Sequence, residues 1–449
     1  MTTPQIVLPA ARKELFLLAA RALADEQARE PGDRLATLVT DLAEDVTWMR
    51  AFLGWAREQP ALRGFARAAT VELIGAGRVT NAEARQMVNE ALTRADEPGR
   101  LLAYALGRFG RSLPKTIKEG VAKAVERLYD ERALAVHDTE DAPMRFAEVI
   151  ALTHPKPVGK QAEVFQYAAQ RVKRPHPVPG SVTSLRARAE LHAIAPDKRA
   201  RQLDRLDIAD AFAQAAMGRR EVAAWLGGEM GDKAWAAVVR SMSLKERLAH
   251  LPAFDAAGMA AEIADWIVAD LAEERSVARG RVLPVEIWNA YRRTPDTRWS
   301  WALEKALQNA VAQVPVLQGR TLVLVDRSTA MGEQADAAAI FAGALALGSP
   351  AVELVRFGPD VELITPGSTL LDTLERFGAQ GDGQSVAPAV RRHVADHDRV
   401  IVLTHAAAAV EAAEAVTVPG HEHVITEVND GWFTAIPVIE LARTSAWPF

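Results

Sequence analysis

Between residues 10 and 280 the apolar positions return again and again at a helical period. They fall at Leu15, Leu18, Ala19 and Ala22 in Pro9–Ala28, and at Leu38, Leu42, Val46 and Met49 in Leu35–Trp55. Pro60–Ala76, Thr80–Arg94 and Arg100–Phe109 continue the pattern, and Thr80 with Glu83 has the form of a capping box. The interruptions at Pro60, Gly77, Pro98-Gly99 and Gly110 are brief, so successive helices pair antiparallel. Many such pairs in series make a helical solenoid, here without an exact sequence repeat. The segment 174–180, RPHPVPG, carries three prolines and cannot continue a helix. Short helical units resume near Thr183 and run to about Glu274. Gly280–Arg293 and Thr297–Val314 complete the series, the last stopped by Pro315.

The pattern changes after Gln318-Gly319. TLVLVD at 321–326 is an apolar, β-branched run that ends on a polar residue, as a strand buried on both faces of a parallel sheet does. An alanine-rich helix near 334–347 follows, then strands at 352–358 and 361–366, a helix near 369–377 and another over 385–397. VIVLTH at 400–405 is a second buried strand and HVITEVN at 423–429 a third. Strand–helix alternation of this kind predicts a doubly wound α/β domain. The expected division is therefore a helical-repeat domain over 1–318 and an α/β domain over 319–449.

Composition narrows the chemistry. The chain has 449 residues, 49% apolar and 25% charged, enough for a sizeable core without disulfides. It has no cysteine, which excludes disulfides, thiolate zinc sites and a cysteine nucleophile, and fits a cytoplasmic location. No apolar run reaches membrane-spanning length, and MTTPQIVLPAARKE lacks the order of a secretion signal. The net charge of −5 conceals an asymmetry. Residues 320–449 hold 8 Arg, no Lys and 17 Asp plus Glu, a net of −9. Residues 100–205 hold about 20 basic and 12 acidic side chains, near +8. A basic belt on a near-neutral body is the footprint of a polyanion binder.

In an open parallel sheet, ligands bind at the carboxyl ends of the strands. The residues there are Asp326-Arg327-Ser328-Thr329-Ala330 after the first strand and Thr404-His405 after the later one. A carboxylate and a hydroxyl two positions apart can share a hard cation. This segment resembles the von Willebrand factor A domain and its metal-ion-dependent adhesion site, Asp-x-Ser-x-Ser with a later Thr and a closing Asp. Asp326 and Ser328 match the first two positions. Ala330 stands in place of the second Ser, the loop Gly381-Asp382-Gly383-Gln384-Ser385 lacks the Thr, and His405 replaces the Asp. Asp326, Ser328 and Asp382 are the ligands a degenerate site would retain. With so few hard oxygens, Mg²⁺ is expected to bind weakly or not at all, and no cofactor is required.

The helical part resembles the TROVE module of the Ro autoantigen family. The segments are SLPKTIKEGVAKAVERLYDE at 112–131, MRFAEVIALTHPKP at 144–157, WAAVVRSMSLKERL at 235–248 and RVLPVEIWNAYRR at 281–293. Their order, followed by an A domain, covers nearly the whole chain. The resemblance implies a HEAT-like ring of helical repeats closed by the A domain. It also implies binding of single-stranded RNA 3′ ends through the ring and of small structured non-coding RNA on its outer face. A nuclease or another protein is a further partner through the A domain. Lys115, Lys118, Lys123 and Arg127 follow one another at helical spacings, and Arg132 and Arg145 extend the belt. Cations so placed neutralise phosphates. His154 and Lys156, in THPKP, match family positions that contribute to small-RNA binding.

No catalytic constellation accompanies these features, so a non-enzyme is expected. Gly107-Arg108-Phe109-Gly110 lacks the Lys-Ser/Thr ending of a P-loop, there is no nucleophile elbow, and His421-Glu422-His423 is too tightly spaced for two ligands on one helix face. The competing reading is a helical scaffold with an A domain that binds proteins and no RNA.

Overall fold

The computed structural model describes residues 7–25, 29, 32–172, 176–294, 297–383, 385–416 and 421–449. Residues 1–6, the end of the first expected helix at 26–28, Arg174 and Pro175 of the proline-rich segment, and Gln384 lie outside the described residues. Among the described residues no strand precedes Thr321, and none of the helices is long and apolar enough to cross a membrane. The chain divides into two compact units, Met1–Ser241 with Trp447–Phe449, and Met242–Ala446.

In the first unit helix follows helix, from Val7–Ala22 through Asp33–Asp41, Val46–Glu58, Arg63–Gly75, Asn81–Ala91, Glu97–Phe109 and Lys115–Leu128 onward. The single helix expected over Leu35–Trp55 is two. The chain leaves the helix after Asp41, and the Asp45 carboxylate caps the next helix by accepting from the Trp48 N–H at 3.4 Å. The apolar stripe runs through the break, with Leu42 and Met49 buried and Val46 half-buried, so periodicity alone does not reveal it. The capping box forms as expected: the Thr80 hydroxyl accepts from the Glu83 N–H at 3.3 Å, and the Glu83 carboxylate accepts from the Thr80 N–H at 3.0 Å. Lys115–Leu128 packs closely on Asn81–Ala91 through Gly120, where a Cβ would meet the Val88 Cβ at 2.6 Å. Near the N-terminus, Phe16, Trp48, Phe52 and Trp55 form an aromatic cluster that Trp447 and Phe449 complete, with Trp447 5.2 Å from Phe16.

In the second unit, Leu244–Ala256, Ala261–Ala272, Glu274–Gly280, Pro284–Arg293 and Thr297–Val311 precede the sheet. The expected Gly280–Arg293 helix starts instead at Pro284, because Arg281, in the left-handed conformation at φ 50°, closes the preceding one. The sheet has five strands: β1 Thr321–Asp326, β2 Val352–Phe357, β3 Glu362–Ile364, β4 Arg399–Leu403 and β5 Glu422–Ile425, in the order β3-β2-β1-β4-β5. Every residue of β1 and β4 is buried, as the unbroken apolar runs predict. β2 and β4 flank β1 in parallel and β5 is parallel to β4, whereas β3 is antiparallel to β2. Only residues 358–361 join β2 to β3, too few for a parallel crossover. The helix expected over 385–397 is confined to Ala387–His393. Within this unit Pro284–Arg293 and Thr297–Val311 pack on the helix Gln334–Gly348 that follows β1. The Asp430 carboxylate caps Pro284–Arg293 by accepting from the N–H groups of Val285 at 2.9 Å and Glu286 at 2.8 Å.

Candidate functional site

The strand order reverses at β1, so the carboxyl ends of β1 and β4 open a crevice between them. Asp326, the last residue of β1, forms its floor. One of its oxygens accepts from the Ser328 N–H at 2.8 Å and the other from the Thr404 hydroxyl at 2.7 Å. His405 Nε2 lies 3.9 Å from the second oxygen. The loop after β1 is held against residue 381 by Thr329 N–H to Gly381 O at 2.9 Å and Gly381 N–H to Arg327 O at 3.1 Å. Gly358, at φ +114°, passes so near this loop that a Cβ would come within 2.8 Å of the Ser328 nitrogen. A non-glycine residue there would displace the loop.

The result is a cavity of about 290 Å³ lined by Asp326, Ser328, Ala330, Phe357, Val386 and His405, with Glu411 and Ser385 also bordering it. The Ser328 hydroxyl is buried in its wall and finds no hydrogen-bond partner among the described residues. Asp382 does not join Asp326 and Ser328. Its side chain is exposed and lies outside the lining, because the backbone of Gly381 makes the contacts with the β1 loop. This corrects the ligand set inferred from the sequence. Among the described residues no three His, Asp or Glu side chains converge as for a metal. The lining offers Mg²⁺ two carboxylates, Asp326 and Glu411, and an imidazole, with Glu411 accepting from the Ser385 hydroxyl, so few of its hard oxygens converge as the six around Mg²⁺ must. Thr404 was readable as a strand-end residue. Glu411 carried no sequence signal, since it reaches the cavity from the helix after β4.

The basic belt is more heterogeneous than its spacing suggested. Lys115 lies 3.6 Å from Glu119 and Lys123 lies 2.7 Å from Glu126, both at the surface. Arg127 donates to the carbonyls of Asn89 at 3.0 Å and Leu92 at 2.7 Å, at the end of the neighbouring helix. Lys118 is half-buried and Arg132 exposed, and neither meets a partner among the described residues. Arg145 instead serves the fold. It hydrogen-bonds the buried Asp138 at 2.8 Å, and Arg171 pairs with the same carboxylate. Burial would raise the Asp138 carboxyl, but hydrogen bonds from Arg145, the Phe146 N–H and Arg171 hold it below the usual range. His154 is exposed and ends the Phe146–Thr153 helix in the left-handed conformation, at φ 50° and ψ 54°. Lys156 is exposed, and its N–H donates to the Glu126 carboxylate at 3.0 Å. The structure thus gathers Lys123 and Lys156 around Glu126, with His154 on the turn beside them.

No protein-family model matches the chain, and no curated protein matches it in sequence. In structure it is similar to the Ro (RSR) protein of Deinococcus radiodurans, over 93% of this chain and 94% of that one, with a TM-score of 0.68 and 17% identity. The fold is the one the ordered sequence segments pointed to: helical repeats followed by an A-like α/β domain.

Proposed function

We propose that this chain is a non-catalytic, cytoplasmic RNA-binding protein of the Ro kind. It holds single-stranded RNA 3′ ends and small structured non-coding RNA, in RNA quality control or as a ribonucleoprotein scaffold. The observation that carries the reading is the extent of the fold likeness, which runs through 93% of the chain and not through one domain alone. The belt gives it chemical support: Lys118 and Arg132 are cations without partners among the described residues, and Lys115, Lys123 and Lys156 are exposed at the surface. Such groups bind phosphates with release of counterions. The A-like domain, with its net of −9, is unsuited to polyanions and takes the protein partner, a nuclease or another protein.

The test is to sequence the RNA that co-purifies with the intact protein. Enrichment of a few small structured RNAs over a mock purification is expected. A profile that matches the mock would leave the helical part as a protein scaffold.

A further inference from the structure

The cavity at the top of the sheet has a composition of its own. Its floor is the buried Asp326 carboxylate, its wall holds the buried hydroxyl of Ser328, unpartnered among the described residues, and Glu411 stands exposed beside them. Ala330, Phe357, Val386, Ala407 and Ala408 supply apolar wall. We propose that this cavity receives the lysine or arginine side chain of a basic protein partner, directly and with no metal between. This rests on the partner half of the function proposed above and is independent of the RNA half.

The chemistry selects the occupant. Each Asp326 oxygen accepts one hydrogen bond from the chain and keeps capacity for a second, since a carboxylate offers about four lone-pair sites. The Ser328 hydroxyl is engaged by none of the described residues. An ammonium or guanidinium satisfies both and neutralises the carboxylate, while its methylene stem covers the apolar wall. The cavity, at about 290 Å³, holds the end of such a side chain, which is far larger than a bare ion. A divalent cation would find no three acidic or histidine side chains converging on it among the described residues. A phosphate or an acidic side chain would face Asp326 and Glu411, within a domain of net charge −9. That excess of acid instead steers a basic partner towards the domain.

The experiment titrates the full-length protein with N-acetyl-lysine amide, N-acetyl-arginine amide and N-acetyl-glutamate amide, followed by saturation-transfer NMR. Each titration is run with chelator and again with Mg²⁺. The basic amides should bind in chelator, and comparison of the two tells ammonium from guanidinium. Asp326→Asn should weaken them about tenfold or more, and Ser328→Ala several-fold. Because Asp326 also holds the β1 loop, Ala330→Lys is the second variant. It leaves those hydrogen bonds intact, puts a cation of the chain's own at the cavity and should abolish probe binding. Binding of the glutamate amide that requires Mg²⁺ would overturn the proposal, as would equal affinity of wild type and Ala330→Lys for the basic amides. Neither result bears on co-purifying RNA, so failure here is distinct from failure of the RNA reading.

Discussion

At the scale of single residues, the buried ion pairs of this protein are structural devices with a readable pH dependence. Glu440 accepts hydrogen bonds from Nε and Nη2 of Arg399, whose Nη1 donates to the Gln318 carbonyl and the Thr321 hydroxyl, and it lies 3.1 Å from His423 Nε2. Burial pushes the Glu440 carboxyl up, but Arg399 and His423 outweigh it and hold it at about 2. Burial also pushes His423 down, so at neutral pH it is an uncharged hydrogen-bond partner. Within the His421-Glu422-His423 run it is thus His423 that serves an internal carboxylate, from a helix whose packing against β5 the run does not signal. A carboxylate depressed in the folded state stabilises above its unfolded pKa and loses that contribution as pH falls through the folded value. Wild type should therefore lose stability from about pH 4.5 towards about 2. Glu440→Gln leaves the buried Arg399 without a charge partner and should cost about 3 kcal/mol at neutral pH. Its stability should also change less than that of wild type between pH 4.5 and 3. Urea melts at three pH values check both; parallel curves for the two proteins would show that the pair does not set the acid limit.

At the scale of elements, structure is legible in the sequence where one local signal decides the outcome. The Thr80–Glu83 box and the wholly buried β1 and β4 are such cases. Features that depend on what an element packs against are not legible in this way. The break before Asp45 hides in a continuous apolar stripe, and the antiparallel β3 follows from the length of a turn. The seat of the basic helix is another. Gly120 lets Lys115–Leu128 approach Asn81–Ala91 until a Cβ would fall 2.6 Å from the Val88 Cβ and 2.8 Å from the Arg85 carbonyl oxygen. Nothing in the sequence distinguishes this glycine from a mere helix weakener. Gly120→Ala gains about 1 kcal/mol of helix propensity. Overpacking costs about 1–3 kcal/mol, and here backbone is among the atoms struck, so the net effect should be destabilising by about 1–2 kcal/mol. Adding Val88→Ala should recover part of the loss, as judged by denaturant midpoints. A stabilised single variant would mean that the two helices separate at little cost.

At the scale of the molecule, the order of the segments made the fold legible across the whole chain. The division at 241/242 was not, since it arises from packing of Pro284–Arg293 and Thr297–Val311 on the helix Gln334–Gly348, which no local pattern records. The charge asymmetry was legible as well, but not which cations remain available. Arg145 is consumed by Asp138 and Arg127 by backbone carbonyls. Lys115 and Lys123 are paired only with acids at the surface, an association that water and salt screen and that a phosphate can replace. Affinity for single-stranded RNA should therefore fall steeply with salt, by about 0.7 unit of log affinity per log salt for each phosphate contacted. Replacing Lys115, Lys118 and Lys123 together by Ala should flatten that slope by about two units if all three touch phosphate. The fold should survive, because truncating exposed or half-exposed lysines changes stability little. Single-stranded 3′ ends should be preferred over blunt duplex, since their unstacked bases are free to make contacts that a closed A-form helix withholds. Filter binding at several salt concentrations measures slope and preference together. If the triple variant keeps the wild-type slope, or wild-type affinity ignores salt, these lysines are only solvated surface and the helices serve as a protein scaffold.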